Sequence, residues 1–305
     1  METPTRLERA PAALCDFAGC PDLWLKREDE NELGVFKWRG ALPVVEALAR
    51  DGHEAVVTAS TGNHGAAVAW ACRTVGVRAI VFVPPGAAEQ KLANLERLGA
   101  DVRVAGRDLD EAKDAARGFA NEAGLRFFED GAEPLQYDAY EAIGAEILDQ
   151  CPTHPAAVVT PLGNGALAGG VGTALGGNVE RIGVVAQEMP VMAASYEAGH
   201  AVEVPAGSTI ADGMAVRVAI PLAVERLRTT VDRMVRVSER EIADALVACH
   251  DAGVLIEPSA AAAVAAARHT TDLGDAGAVV LVMTGRNVDQ AVVERARRHP
   301  ESFSD

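Results

Sequence analysis

The chain has 305 residues, of which 49% are hydrophobic, and its 44 acidic and 28 basic side chains give a net charge of −16. This length and composition predict a folded protein with a large core and two subdomains, and they exclude an intrinsically disordered chain. The negative charge argues against a nucleic-acid or anionic-membrane partner, and no apolar run approaches the ~18 residues of a membrane span.

Short β-rich segments alternate with Ala- and Leu-rich helical segments along the chain. The predicted strands span residues 23–26, 54–59, 79–83, 101–105, 126–128, 156–160, 182–187 and 278–283. The predicted helices include residues 64–76, 88–99, 138–150 and 239–253. Several strands are continuous apolar runs, as expected for parallel strands that are covered on both faces. The alternation therefore predicts an α/β fold with a mostly parallel sheet.

Local signals mark the ends of several helices. Ser238 and Glu241 form the S-x-x-E pattern of a capping box before the predicted helix 239–253. Glycines are expected to end four helices before the next strand: Gly76, Gly99, Gly124 and Gly253. No internal repeat and no low-complexity linker separates the chain into independent parts.

The cysteines and histidines do not form a metal-binding pattern. The five cysteines are scattered, as are the seven histidines, and no CxxC or HExxH spacing occurs. The N-terminal segment lacks the basic head and the long apolar run of a signal peptide. An odd, scattered set of cysteines fits a reducing compartment, so the sequence predicts a cytoplasmic protein without a metal site.

Polar loops follow two of the predicted strands, where open parallel sheets bind ligands. Ser60, Thr61, Gly62 and Asn63 follow the strand 54–59, and a helix is expected to begin near His64. The amides at a helix N-terminus suit a carboxylate, although these residue types are also common in ordinary turns. The buried strand 278–283 ends at Thr284, which is followed by Gly285, Arg286 and Asn287.

A glycine loop follows the strand 156–160. Gly163 and Gly165 precede a predicted helix, and their small size lets backbone amides approach a phosphate. Together with Ala168 they also match the G-x-G-x-x-G/A fingerprint of dinucleotide-binding proteins, and Glu188 follows the next strand. An NAD-dependent oxidoreductase that uses the 163–168 loop, and a purely structural turn, are therefore alternatives at this stage.

Lys37 lies between two aromatic residues, Phe36 and Trp38. Such a lysine can extend its amine past the rings to solvent. Alternatively, apolar surroundings favour the neutral amine, which attacks aldehydes to form an imine. With a phosphate-type glycine loop elsewhere in the chain, the aldehyde that suggests itself is pyridoxal 5′-phosphate.

Seven segments resemble fold type II (tryptophan synthase β-like) pyridoxal-phosphate enzymes, and most closely the serine/threonine dehydratase family. "LWLKREDENELGVFKWRGA" is similar to the lysine motif of this family, and "TASTGNHGAAVA" is similar to its asparagine loop. "LANLERLGADV" resembles the helix and strand that follow, "PLGNGALAGG" the tetraglycine loop, and "TIADGMAVR" a further family segment. "LIEPSAAAAVAA" and "VMTGRNVD" resemble the C-terminal signature. The motifs follow the family order along nearly the whole chain.

The resemblance implies a fold with two open, twisted, mostly parallel sheets flanked by helices, and with the cofactor in the cleft between two subdomains. The large domain is expected to comprise residues 1–42 and 139–305, and the small domain residues 43–138. It further implies a homodimer that acts on a small amino-acid substrate.

The resemblance also implies roles for individual residues. Lys37 would form the internal Schiff base and shuttle the Cα proton, and Thr61 is a second catalytic candidate because racemases carry their other acid/base there. The implied cofactor-binding residues are Phe36, Lys37, Asn63, Gly163, Asn164, Gly165, Ala166, Leu167, Gly213, Glu257 and Thr284. The implied substrate-binding residues are Ser60, Thr61, Gly62, His64, Tyr137, Asp138 and Tyr140.

The implied reaction is β-elimination. A neutral Thr284 hydroxyl facing the pyridine nitrogen would leave that nitrogen unprotonated, which favours prompt loss of a β-substituent. The sequence thus predicts a lyase that dehydrates and deaminates a β-hydroxy amino acid such as threonine or serine to a 2-oxo acid and ammonia. Residues 137–142 depart from the family pattern, and Tyr137, Asp138 and Tyr140 are candidates for substrate specificity. An amino-acid racemase, a threonine synthase and a β-replacement synthase of the same fold remain alternatives.

Overall fold

The computed structural model describes residues 4–205, 207–270 and 277–305. The chain divides into two compact units, which we call the large unit (residues 1–36 and 140–305) and the small unit (residues 37–139). The small domain expected from the sequence, residues 43–138, differs from the small unit by six residues at its start and one at its end. The assignment of these domains stays a prediction.

The described residues form strands whose order follows the predicted alternation with helices. The strands are β1 (Leu7–Arg9), β2 (Leu23–Arg27), β3 (Ala55–Ala59), β4 (Arg78–Val83), β5 (Ala100–Val104), β6 (Arg126–Phe127), β7 (Ala157–Pro161), β8 (Glu180–Ala186), β9 (Arg233–Val237) and β10 (Val279–Met283). The large unit contains a sheet in the order β1-β2-β10-β7-β8-β9, and the small unit contains a sheet in the order β5-β4-β3-β6. Only the β1–β2 pair among these described strands is antiparallel. The prediction of two mostly parallel sheets is confirmed.

Helices connect these parallel strands. They are α1 (Ala12–Ala18), α2 (Trp38–Arg50), α3 (Asn63–Val75), α4 (Glu89–Arg97), α5 (Leu109–Ala123), α6 (Pro134–Gln150), α7 (Ala166–Leu175), α8 (Val191–Ala198), α9 (Pro221–Thr230), α10 (Glu239–Asp251), α11 (Pro258–Ala267) and α12 (Gln290–Arg298). No helix within the described ranges combines the length and the apolar composition that crossing a bilayer requires.

Two strands at the edges of the large sheet were not predicted. β1 has only three residues and pairs with β2 in the antiparallel sense. β9 reads Arg-Met-Val-Arg-Val and pairs with β8 alone; Arg233 is half-buried and Arg236 is exposed. These two strands mix polar and apolar side chains, so they lack the continuous apolar run by which β3, β7 and β10 were recognised.

Helix α11 lies at the centre of the large unit. All ten of its residues are buried, and it packs against β7, β8, β9 and β10 as well as against α10. An apolar helix without a polar face must be covered on every side. Its run of alanines allows this, because small side chains let a helix approach a sheet and other helices closely. The core around it includes Leu23, Leu25 and Val159.

The predicted helix ends are confirmed. Ser238 Oγ accepts a hydrogen bond from the Glu241 amide at 3.1 Å, and the Glu241 carboxylate accepts one from the Ser238 amide at 2.8 Å. The four glycines expected at helix ends, Gly76, Gly99, Gly124 and Gly253, all have positive φ angles between 65° and 91°. These are left-handed backbone conformations, which glycine adopts without the penalty that a Cβ imposes.

Two helical glycines give opposite predictions for stability. A Cβ at Gly172 in α7 would lie 2.0 Å from the Thr230 carbonyl oxygen, whereas a Cβ at Gly118 in α5 would meet no atom within 4 Å. We expect Gly172→Ala to lower the free energy of unfolding by roughly 1–3 kcal/mol, because overpacking outweighs the better helix propensity of alanine. Gly118→Ala should raise it by about 0.5–1 kcal/mol. Urea unfolding of both variants tests this, and equal stabilisation by both would contradict the packing at Gly172.

Candidate active site

In the small unit, the loop after β3 leads directly into helix α3. Gly62 is the N-cap of α3, which begins at Asn63, one residue before the predicted start. The Gly62 amide donates a hydrogen bond to Ser60 Oγ at 3.1 Å. Ser60, Thr61 and Asn63 are half-buried, so the structure brings this predicted group together at a helix N-terminus, where backbone amides favour an anion.

Lys37 immediately precedes helix α2, and its amine contacts a carboxylate. The Lys37 Nζ atom lies 2.6 Å from Asp130 Oδ2, and only 14% of the lysine side chain is exposed. The neighbouring aromatic residue Trp38 packs against Trp70 with its ring edge at a centroid distance of 6.5 Å. From the sequence, apolar neighbours were expected to keep the Lys37 amine uncharged. In the structure, the amine instead contacts the Asp130 carboxylate.

Asp130 is held by residues at the start of α6. Gln136 Nε2 donates to Asp130 Oδ1 at 3.0 Å, and Gln136 Oε1 accepts from the Gly131 amide at 2.7 Å. The Tyr137 hydroxyl donates to the Gly131 carbonyl oxygen at 2.8 Å. Helix α6 therefore anchors the loop that presents the Asp130 carboxylate to Lys37.

His64 approaches Asp130 on the other carboxylate oxygen. The His64 Nδ1 atom lies 3.5 Å from Asp130 Oδ1, and His64 Nε2 lies 3.1 Å from the Thr58 hydroxyl. The imidazole packs edge-on against the Phe128 ring at a centroid distance of 4.9 Å. His64 is buried, and its ring is contacted by Thr58, Asp130 and Phe128.

The charges in this group shift two pKa values. Burial would raise the pKa of the Asp130 carboxyl, but the positive charge of Lys37, the nearby His64 ring and the hydrogen bonds from Lys37 and Gln136 hold it well below its ordinary value. Burial lowers the pKa of His64; the Asp130 carboxylate opposes this shift and the Lys37 ammonium adds to it. A charged Asp130 beside a neutral His64 follows from these directions.

In the large unit, the glycine loop lies between β7 and α7. Gly165, the N-cap of α7, has a φ of 91°, and a Cβ at this position would lie 2.8 Å from Leu227. The Asn164 Oδ1 atom accepts a hydrogen bond from the Ala166 amide at 3.0 Å. Leu167 is buried in the first turn of α7. The predicted residues 163–167 thus form a continuous turn into a ten-residue helix.

Gly213 lies against this glycine loop. A Cβ at Gly163 would be 2.5 Å from the Gly213 carbonyl oxygen, so the two backbones touch. A Cβ at Gly213 would in turn be 2.7 Å from the Ser259 hydroxyl. The Ser259 Oγ atom is buried and has no hydrogen-bond partner among the residues that the structure describes.

Thr284 ends β10 beside the segment that carries Phe36. The Phe36 amide donates to the Thr284 carbonyl oxygen at 3.0 Å. The Thr284 residue is 3% exposed, and its hydroxyl has no hydrogen-bond partner within the described residues. Next to it, the Glu257 amide donates to the Gly285 carbonyl oxygen at 2.9 Å, and a Cβ at Gly285 would lie 2.6 Å from the Glu257 carboxylate. Thr284, Phe36 and Glu257 are therefore brought together in the large unit.

The three specificity candidates differ in their surroundings. Tyr137 and Tyr140 are almost completely buried, and the Tyr140 ring packs on Phe36 at a centroid distance of 5.2 Å. Asp138 is exposed on the surface of α6. All three lie within a regular helix, and their roles in specificity stay predictions.

Sequence reasoning missed Asp130 and Ser259. Asp130 lies in the acidic stretch "FFEDG", whose composition is typical of a surface turn, and only the contact with Lys37 distinguishes it. Ser259 stands in the quoted segment "LIEPSAAAAVAA", where a lone hydroxyl in an alanine-rich helix was an available signal. Within the part of the chain that the structure describes, no cluster of three or more His, Cys, Asp or Glu side chains could hold a metal ion.

Comparison with known sequences identifies related enzymes. Residues 1–285 match the family described as pyridoxal-phosphate dependent enzyme. An L-threonine ammonia-lyase of Thermotoga maritima is 35% identical over 279 residues, which covers 90% of this chain and 69% of that protein. An L-threonine ammonia-lyase of Geobacter sulfurreducens is 36% identical over 284 residues, with coverage of 90% and 70%.

Solved structures agree with this relationship. The processed form of threonine deaminase isoform 2 from Solanum lycopersicum superposes with a TM-score of 0.90 at 30% identity, covering 96% of this chain and 87% of that one. Maize serine racemase superposes with a TM-score of 0.88 at 25% identity, with coverage of 98% and 93%. The chain therefore belongs to the family of pyridoxal-phosphate-dependent enzymes.

Proposed function

We propose that the protein is a pyridoxal-phosphate-dependent ammonia-lyase that converts a β-hydroxy amino acid such as threonine or serine to a 2-oxo acid and ammonia. The observation that carries this proposal is the similarity to two L-threonine ammonia-lyases at 35% and 36% identity along 90% of the chain. Family membership argues against the nicotinamide-dependent alternative for the loop at residues 163–168.

The unpartnered hydroxyl of Thr284 fits the cofactor. A buried polar atom without a hydrogen bond is costly, and a bound ring nitrogen would satisfy it. A hydroxyl donates to an unprotonated nitrogen, whereas a carboxylate would keep that nitrogen protonated. When bound, the cofactor supplies an aldehyde that links to the substrate amine and a ring that withdraws electrons from Cα. Thr284 would hold that ring in the form that favours loss of a β-substituent.

The glycine loop supports a phosphate site. Residues 163–167 form the turn before helix α7 and its first two residues. The amides and the dipole at this helix N-terminus favour an anion. The contact of Gly163 with Gly213 leaves no room for side chains between the two backbones. The buried Ser259 hydroxyl beside Gly213 is a further potential donor. We propose that the backbone of residues 163–167 binds the phosphate.

The remaining roles follow the same reasoning. Lys37 would hold the cofactor covalently and accept the Cα proton at Nζ, and Phe36 and Gly213 would flank the ring. Asn63 would bind the phenolic oxygen of the ring, and Glu257 would lie near the ring nitrogen. The loop before α3, comprising Ser60, Thr61 and Gly62, would orient the substrate carboxylate together with His64 in the first turn of α3. Tyr137, Asp138 and Tyr140 are proposed to influence which side chain is accepted.

Racemisation is a second candidate activity. Thr61 offers a hydroxyl in the loop before α3, and a serine racemase is among the structural relatives at 25% identity. A hydroxyl that returns a proton to the opposite face of Cα would produce the D-isomer. We further propose a cytoplasmic homodimer, which light scattering and cell fractionation would test.

Replacing Lys37 tests the covalent role directly. We expect Lys37→Ala to lower the rate of 2-oxo acid formation at least about 10³-fold, because it removes both the attachment point and the base. The chain has only four lysines, so borohydride reduction followed by peptide mass spectrometry should locate the cofactor on Lys37 unambiguously. Lys91→Ala, at an exposed position in α4, is the matched control and should retain the parent rate. Parent activity in Lys37→Ala would refute the proposal.

A substrate panel separates elimination from racemisation. We expect L-threonine or L-serine to give 2-oxo acid and ammonia in equal amounts, because the elimination product hydrolyses to both. The measurement follows keto acid, ammonia and D-amino acid in the same incubation. D-isomer formation without ammonia would instead favour the racemase, and Thr61→Ala should then abolish it while sparing any elimination.

A further inference from the structure

Lys37, Asp130 and His64 form a continuous line of titratable groups in the small unit. The Asp130 carboxylate bridges the other two, with Oδ2 at 2.6 Å from Lys37 Nζ and Oδ1 at 3.5 Å from His64 Nδ1. The first distance is that of a charge-assisted hydrogen bond, and the second is longer than a hydrogen bond. The difference between the two contacts points to where protons lie.

The surrounding hydrogen bonds determine the tautomer of His64. The Thr58 hydroxyl donates its single proton to the Phe128 carbonyl oxygen at 2.8 Å, since a carbonyl can only accept. Thr58 Oγ1 must therefore accept from His64 Nε2 at 3.1 Å, which places the proton of the neutral imidazole on Nε2. His64 Nδ1 then presents a lone pair to the Asp130 carboxylate, and two acceptors facing each other explain the 3.5 Å separation.

The line thus contains one proton donor, one bridging carboxylate and one vacant basic nitrogen. A lysine ammonium has no lone pair and cannot attack an aldehyde until it loses a proton. We infer that His64 and Asp130 together accept the proton that Lys37 must release before its nitrogen bonds to the cofactor. The inference rests on the proposed function, because it assigns the group that prepares Lys37 for that function.

The proton transfer balances in atoms and charge. The Nζ–H bond directed at Asp130 breaks, its electron pair stays on Nζ, and the proton bonds first to the Asp130 carboxylate. After the carboxyl group turns toward His64, the proton passes to Nδ1, whose lone pair forms the new N–H bond and leaves Asp130 ionised again. The charges change from Lys37⁺, Asp130⁻ and neutral His64 to neutral Lys37, Asp130⁻ and His64⁺, so the net charge stays zero. With the cofactor bound, the neutral Nζ would be able to bond to its aldehyde carbon, and the aldehyde oxygen would leave as water with the two remaining amine protons.

The surroundings of His64 stabilise its protonated form better after Lys37 has lost its charge than before. In the cofactor-free protein, burial and the Lys37 ammonium lower the pKa of His64, while Asp130 raises it and Lys113 contributes a smaller lowering. Loss of the Lys37 charge removes one lowering cause and leaves the Asp130 carboxylate without its closest cation. The uncharged neighbours are Gln136 on α6, which hydrogen-bonds to Asp130, and Thr58 on β3, which hydrogen-bonds to His64.

The pH dependence of stability tests the starting state. His64 has a lowered pKa in the folded protein, so below its ordinary value of about 6.5 the unfolded chain binds more protons than the folded one. Stability of the cofactor-free protein should therefore fall as the pH drops from about 7 to about 5, by at most about tenfold in the folding equilibrium constant per pH unit. The Asp130 carboxyl responds only below its ordinary range near pH 4, outside this window.

His64→Gln removes this dependence in the same measurement. Glutamine preserves a donor toward Thr58 but has no basic nitrogen, so the slope between about pH 7 and pH 5 should become shallower. His154→Gln, at an exposed position, controls for the loss of a histidine. An unchanged slope in His64→Gln would show that folding does not lower the pKa of His64, and it would overturn the inference.

Nitrogen-15 NMR of the histidine rings tests the transfer itself. We expect His64 to carry a proton on Nε2 alone in the cofactor-free protein at about pH 7.5, and on both nitrogens after pyridoxal 5′-phosphate is added. The spectrum of His64→Gln identifies the resonance. In Asp130→Asn the change on loading should disappear, whereas Asp114→Asn, at an exposed position in α5, should respond as the parent does. A His64 that stays neutral in the loaded parent protein overturns the inference.

The rate of cofactor loading provides a second readout that does not depend on turnover. Absorbance above about 400 nm reports the bond to Lys37, and His64→Gln should load at least about tenfold more slowly than the parent at pH 7. His154→Gln should load at the parent rate. Parent-like loading by His64→Gln refutes the inference alone, while a parent protein that never labels Lys37 refutes the proposed function as well.

Discussion

The carboxyl ends of buried parallel strands are the constraint on which the candidate site depends. β3, β7 and β10 are buried along their whole length, and the polar segments of the candidate site begin where these strands end. The loops after β3 and β7 run directly into α3 and α7, and their amides face outward at the helix N-termini. Because the strands are parallel, every such loop lies at the same edge of its sheet. The backbone amides and polar side chains that can bind an anion therefore lie together at that edge.

Within the small unit, this edge also organises charge. Asp130 follows β6, and the hydrogen bonds from α6 aim its carboxylate at Lys37 and His64. The carboxylate has two oxygens, and each faces a different basic group. Burial lowers the pKa of His64 and so favours the neutral ring. The low pKa of Asp130 keeps its carboxylate ionised beside Lys37. Lys37 is therefore part of a three-residue group in which the Asp130 carboxylate contacts both basic side chains.

The large unit contains a fully buried helix and two buried hydroxyl groups that can act as donors. Helix α11 is buried on all sides, and it fixes Ser259 near its N-terminus while Glu257 precedes it. The hydroxyls of Ser259 and Thr284 are buried without partners among the described residues, and a bound ligand would satisfy them. Their positions beside the glycine contacts and at the end of β10 are the strongest structural support for a bound cofactor.

The sequence by itself determined the fold class, the main strands, the helix ends and the family. These features depend on local patterns, such as the apolar runs of β3 and β10, the capping box at Ser238 and the ordered family motifs. It did not reveal β1, which has only three residues, or β9, whose apolar residues are interrupted by arginines. Only the tertiary structure decided that Asp130, 93 residues from Lys37, forms the ion pair with its amine. An acidic residue in a turn has the same local signature whether it faces solvent or a buried amine, and only the packing of α6 distinguishes the two.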